Sequence, residues 1–234
     1  MTSGGHGRTE LLIEGGIVAI LRLERDSDLA PAIEAIRDGG VTAIEILFAG
    51  PTAIQPLGSV STRLRRGISL GIGGVLTPEA AREAIRAGAT FVAAPNLNPD
   101  VLQACGTAGV PAIPGAFTPT EILQAWKLGA SLVKVFPAGP AGAGYVGEIL
   151  RAVPEVRLVA AGGISLANVG EFIRAGAAAV GVDDEMVPGD ALARRDFAEI
   201  ARRTGAFAEA VQRARGIAAR PSQPVRPIEG PDVR

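Results

Sequence analysis

The 234-residue chain holds one cysteine, one histidine, one tryptophan, one tyrosine and only two lysines. A single cysteine, Cys105, rules out an internal disulfide and suits a reducing compartment. Its setting, "VLQACGTAG", reads as a small buried hydrophobe rather than a nucleophile. A single histidine, His6 in the polar start "MTSGGHGR", excludes Ser-His-Asp and Cys-His catalysis and every multi-histidine metal site. With a net charge of −1, no basic block and few aromatics, nucleic acid is not an expected partner. No apolar run reaches membrane-spanning length, and the start lacks a charged-then-apolar signal pattern. The expected setting is therefore the cytoplasm, with no membrane association.

What the chain has in quantity is short apolar runs: "GIVAIL", "VTAIEIL", "ISLGIG", "TFVAAP", "VPAIPG", "SLVKVF", "VRLVAAG" and "AAAVGV". Runs apolar on both faces suit parallel strands covered by helices. Between them lie helical stretches such as "TPEAAREAIRAGA" and "TPTEILQAWKLGA". These open on a capping Ser, Thr or Asn, often followed by Pro, and close on Gly. Eight strands alternating with helices predict an α/β fold, the (β/α)8 TIM barrel. A doubly wound open sheet would need a Gly-rich turn after the first strand, where "LRLERD" stands instead. The barrel is assigned to residues 1–215 as one domain. The Pro-rich stretch 216–234, ending "PSQPVRPIEGPDVR", reads as a disordered or surface-draped tail.

Two charges interrupt the strands. Lys134 stands in "LVKVF" and Glu45 in "AIEIL". By alternation Lys134 shares an inward face with Leu132 and Phe136, and Glu45 with Ala43 and Leu47. Strands two and six oppose each other across an eight-stranded barrel, so the two side chains can meet at its centre. They form either a buried structural ion pair or a Schiff-base lysine with a carboxylate that shuttles protons. Arg22, just past the first strand, is placed either to clamp a carboxylate or to make a salt bridge on the rim. Phe136 and Pro137 are placed to wall a pocket or to pack a core.

The segments "GGVTAIEI", "GIGGVLTPEAAREAIRAGATFVAAP", "PGAFTPTEI", "LGASLVKVFPA" and "AAGGIS" occur in an order and spacing that resemble the class I aldolases for 2-keto-3-deoxy-6-phosphogluconate and 4-hydroxy-2-oxoglutarate. The resemblance covers roughly residues 12–210. It implies a homotrimeric barrel acting on a small-molecule 2-keto acid without metal or other cofactor. Lys134 would form the imine with pyruvate, and Glu45 would handle proton transfer. Around them, Gly73, Gly74, Pro95, Gly162 and Gly163 would line the substrate site with Arg22 and Phe136. The expected reaction is reversible cleavage of a 4-hydroxy-2-keto acid to pyruvate and an aldehyde. The alternatives are an altered member, such as an oxaloacetate decarboxylase, and a non-catalytic binding or assembly barrel.

The chain also departs from the family pattern. Leu47 and Ala49 replace a threonine and an arginine, and Gly74 and Ala161 stand where hydroxyl side chains occur. At the phosphate turn after strand eight, Asp183 and Asp184 replace Gly-Ser. The aspartates either repel a phosphate or serve as N-terminal charges for the following helix. The first reading favours an unphosphorylated sugar acid.

Overall fold

The computed structural model describes residues 3–23, 25–47, 57–58, 60 and 62–218. Nine parallel strand segments form its sheet: β1 (Ile17–Leu21), β2 (Ala43–Leu47), β3 (Ser69–Gly73), β4 (Phe91–Ala93), β5 (Ala112–Ile113), β6 (Gly115–Ala116), β7 (Val133–Val135), β8 (Leu158–Ala161) and β9 (Ala179–Val182). Their order is β5-β4-β3-β2-β1-β9-β8-β7-β6. The two ends of this sheet, β5 and β6, adjoin in the chain at Pro114, so a single stave of the barrel carries both.

The expected fifth strand is thus divided in two. Proline has no N–H to give to a ladder, but its carbonyl still accepts from Lys134 N at 2.8 Å. On the other side Ala94 N donates to the Ile113 carbonyl at 3.1 Å. The ring of hydrogen bonds therefore continues through the break, and the eight-stave expectation holds.

Helices surround the sheet: α1 (Ser3–Glu14), α2 (Leu29–Asp38), α3 (Thr62–Arg65), α4 (Pro78–Arg86), α5 (Pro99–Ala108), α6 (Pro119–Lys127), α7 (Ala138–Ala152), α8 (Val169–Arg174), α9 (Gly189–Ala193) and α10 (Phe197–Ala218). The predicted start signals operate at three of them. Thr77, Asn98 and Thr118 each accept a backbone N–H of the first turn, with proline next in sequence. Helix α10 runs to Ala218, so 216–218 are helical rather than part of a tail. The remainder of the expected tail, 219–234, lies outside the described residues.

Two apolar clusters follow from strand alternation. Val133, Val135, Ile44, Ile46, Val180 and Val182 join the layer between sheet and helices. Val18, Ala43, Phe91, Ala93, Ile113, Leu132, Val159 and Ala179 fill the barrel itself, together with Leu12. Helix α1 was not foreseen, because its glycines and polar residues mask its apolar residues. Its fully buried Leu12 plugs the floor of the barrel. Burial of such a side chain contributes about 1.5–3 kcal/mol.

The floor is fastened from the other end of the chain. Arg215 on α10 donates to the carbonyls of Ile13, Glu14 and Ala178. Gly16 makes room for it: φ is +69°, and a Cβ there would lie 2.3 Å from Arg215 Nη2. Burial pushes the Arg215 pKa down.

Candidate active site

The interior phase places Lys134 directly above Leu132 on β7, and Glu45 above Ala43 on β2. Their side chains meet across the barrel. Lys134 Nζ donates to Glu45 Oε1 at 2.8 Å and to Oε2 at 2.9 Å. Lys134 is 6% exposed and Glu45 2%. Both carboxylate oxygens serve the same ammonium, so the pair satisfies much of its own hydrogen bonding in a setting where an unpaired charge would cost several kcal/mol.

Small residues create the room. A Cβ at Gly73 would lie 2.0 Å from Glu45 Oε1. One at Gly71 would lie 2.4 Å from the Phe91 ring. Glycine in a strand interior marks a close approach, and here the approaching groups are the carboxylate and the phenyl ring that supports the layer below.

The other residues singled out from sequence stand around this pair at the C-terminal ends of the strands. Phe136 follows β7 and is 41% exposed, its ring packed toward Gly162: a Cβ there would lie 2.8 Å from Phe136 Cε2. Gly162 and Gly163 have φ of +81° and +78°. The Gly162 carbonyl accepts from Gly139 N at 2.7 Å, and the Gly163 carbonyl from Asn168 Nδ2 at 2.9 Å. Asn168 thus ties this turn to the start of α8. Pro95 is exposed after β4, and its carbonyl is so close to Gly115 that a Cβ there would lie 2.1 Å away. Gly74 follows β3 with φ of +73°.

Arg22 Nη2 lies 3.9 Å from Asp183 Oδ2 on the adjoining stave, while Asp184 is exposed beside it. Arg22 thus has an acidic neighbour on the rim while most of its side chain stays exposed. Leu47 is half-buried at the end of β2; Ala49, like the rest of 48–56, lies outside the described residues.

Sequence reasoning missed a clasp beside the mouth. Buried Asp28 accepts from Arg25 Nε at 2.8 Å, and Arg195 Nε approaches its other oxygen at 3.3 Å as an ion pair. Arg25 also donates to the carbonyls of Leu192 and Ala193. The clasp joins the segment after β1, which carries Arg22, to the segment after β9, which carries Asp183. Arg25 and Asp28 are near in sequence, but Arg195 and the two carbonyls come from far along the chain, so no local pattern marks the clasp. Phe117 and Tyr145 likewise meet only in the fold, stacked with ring centroids 5.4 Å apart.

Among the described residues no group of three or more His, Cys, Asp or Glu is arranged to hold a metal ion, and no helix is long and apolar enough to cross a membrane. Cys105 is buried far down the outer layer, and burial pushes its thiol up to about 11.

Comparison with known proteins agrees with this geometry. A family model described as "KDPG and KHG aldolase" matches residues 9–203. A 2-dehydro-3-deoxy-phosphogluconate aldolase of Treponema pallidum is 35% identical over 185 residues, which cover 79% of this chain and 88% of that protein. The solved structure titled native KDPGal superposes with a TM-score of 0.79 at 27% identity, covering 86% of this chain and 96% of its own. A KDPG aldolase from Legionella pneumophila, with pyruvate captured as a covalent carbinolamine, gives 0.79 at 25% identity, covering 86% and 97%.

Proposed function

Because the chain belongs to the KDPG and KHG aldolase family, we propose that it is a class I aldolase that reversibly cleaves a 4-hydroxy-2-keto acid to pyruvate and an aldehyde. The observation that carries this reading is the buried Lys134–Glu45 pair, 2.8 Å apart inside the barrel.

Each step can be assigned to these two side chains. Lys134 Nζ must lose a proton before it attacks, and the Glu45 carboxylate is in contact to receive it. That transfer also turns two buried charges into two neutral groups. The free amine adds to the C2 carbonyl, and Glu45 returns its proton to the carbinolamine hydroxyl, which leaves as water to give the iminium. Glu45, again as carboxylate, takes the proton of the C4 hydroxyl. The C3–C4 bond then breaks, its electron pair passes into the iminium as an enamine, and the aldehyde leaves. Protonation at C3 and hydrolysis of the iminium release pyruvate and restore the amine. Phe136 and the turns at Gly73–Gly74 and Gly162–Gly163 wall the space above Nζ, with Pro95 at its edge. Arg22, Asp183 and Asp184 face its outer part.

Likeness to the family alone supports two further assignments, a homotrimer and a cytoplasmic location. Light scattering that gives the mass of a single chain would reverse the first.

The mechanism is tested by reduction with borohydride in the presence of pyruvate. A three-carbon adduct is expected on Lys134 and none on Lys127, the only other lysine. An unmodified chain, or an adduct on Lys127, would overturn the Schiff-base reading. Glu45→Gln is expected to slow turnover by about 10²–10⁴-fold, the usual worth of a placed acid–base group.

A further inference from the structure

Strand phase decides which residues stand over the reactive pair. On β9, Ala179 belongs to the inner cluster and a Cβ at Gly181 would lie 3.1 Å from Ile20 Cδ1, so Asp183 continues the inward phase at the top of the stave. On β1, Val18 and Ile20 face inward and Arg22 continues that phase. β1 and β9 are hydrogen-bonded neighbours, with Ala19 opposite Val182. The 3.9 Å approach of Arg22 to Asp183 therefore lies over the interior, not on the outer wall.

The pairing changes what the mouth can bind. Asp183 neutralises the one arginine that the inward phase brings to this side. The other arginines nearby are engaged: Arg25 and Arg195 with Asp28, Arg194 with Asp190, and Arg203 with Glu199 and the Glu185 carbonyl. On the segment after β9, three backbone donors are also engaged. Met186 N and Val187 N donate to the Asp183 carbonyl, and Ala191 N donates to the Asp190 carboxylate.

We propose that the Arg22–Asp183 pair reads the far end of the substrate as an uncharged polyol and that Asp183 is the residue that disfavours a terminal phosphate. The proposal rests on the aldolase reading. An ionised carboxylate only accepts hydrogen bonds and a guanidinium only donates them. Vicinal hydroxyls can satisfy both at once. A phosphate dianion also only accepts, so it would offer Asp183 no hydrogen bond and would place like charges together. The substrate class that fits is a 2-keto-3-deoxy sugar acid whose only charge is its own carboxylate.

The test uses the full chain with paired 2-keto-3-deoxy hexonic acids, with and without a terminal phosphate, following pyruvate release. The unphosphorylated acid is expected to have at least a tenfold higher kcat/KM. Asp183→Asn, with Asp183→Ser as a second variant should the first fold poorly, is expected to shift that ratio at least tenfold toward the phosphorylated acid, mainly through its KM. Equal or better use of the phosphorylated acid by the natural chain would overturn the proposal, as would a ratio that neither variant moves. Trapping of pyruvate on Lys134 separates the two levels: an adduct with preference for phosphate defeats only this inference, and no adduct defeats the aldolase reading with it.

Discussion

Gly73 and Glu45 occupy space that only a hydrogen atom can divide: a methyl group on Gly73 would sit 2.0 Å from Oε1 and 2.6 Å from Cδ. The carboxylate therefore reaches Lys134 because the neighbouring stave has no side chain there. Gly73→Ala must displace Glu45 or bend β3. Overpacking of this kind costs about 1–3 kcal/mol. Activity is expected to fall more steeply than stability, since a small shift of Glu45 breaks its contact with Nζ. Steady-state kinetics alongside urea unfolding would show the two losses; a variant that unfolds earlier yet turns over normally would contradict this.

The Lys134–Glu45 pair makes a second contrast. Lys134→Met alone strands a buried carboxylate, which typically costs about 3–5 kcal/mol. Lys134→Met with Glu45→Met removes both charges and keeps similar volume, so most of that loss is expected to return. Activity should be absent from both. Stability restored without activity identifies a pair retained for chemistry; a double variant as unstable as the single one would mark it as part of the scaffold.

At the start of α6 the pH dependence has a definite sign. The Glu121 carboxylate is held below its ordinary range, first by the Thr118 N–H, then by the Phe117 N–H and the Thr118 hydroxyl. Its folded pKa is depressed, so this contribution to stability is present above the unfolded value of about 4.3 and fades as pH falls through the folded value. Glu121→Gln should be less stable than the natural chain at neutral pH, with the difference closing in acid. Thr118→Ala, which removes the cap, should cost about 1 kcal/mol. Melting curves at neutral and acid pH would decide both.

Cys105 offers a negative control of the chemistry. Its thiol is fully buried and shifted up to about 11 by that burial. In the native chain it should resist a thiol reagent at neutral pH and react only on unfolding. Rapid native labelling, or loss of activity in Cys105→Ala, would give it a role this structure does not.

Much of this was legible from local pattern. Apolar runs fix the staves, and a charge inside such a run betrays itself, which is how Lys134 and Glu45 stand out and how alternation sets them face to face. Long-range geometry left no such mark. Nothing near Gly73 says that a carboxylate from β2 needs its space. Asp28 is one acid among many until Arg195 arrives from the other end of the chain. The run "VPAIPG" reads as one strand, and nothing in it says that Pro114 divides the ladder in two while its carbonyl still serves Lys134. Helix α1 was hidden by its own composition, being nearly balanced between polar and apolar residues.

The fastening of Arg215 onto Ile13 and Glu14 joins residues 202 positions apart at the longer of its reaches to α1. Synthesis runs from the first residue to the last, so every stave, and both members of the reactive pair, leave the ribosome before this arginine does. Until then the floor is held by the packing of Leu12 and Ile13 and by the Arg157–Glu10 ion pair, and the base of the nascent barrel is unlatched. A chain terminated just ahead of Arg215 would keep its whole chemical apparatus and lose the bolt beneath it.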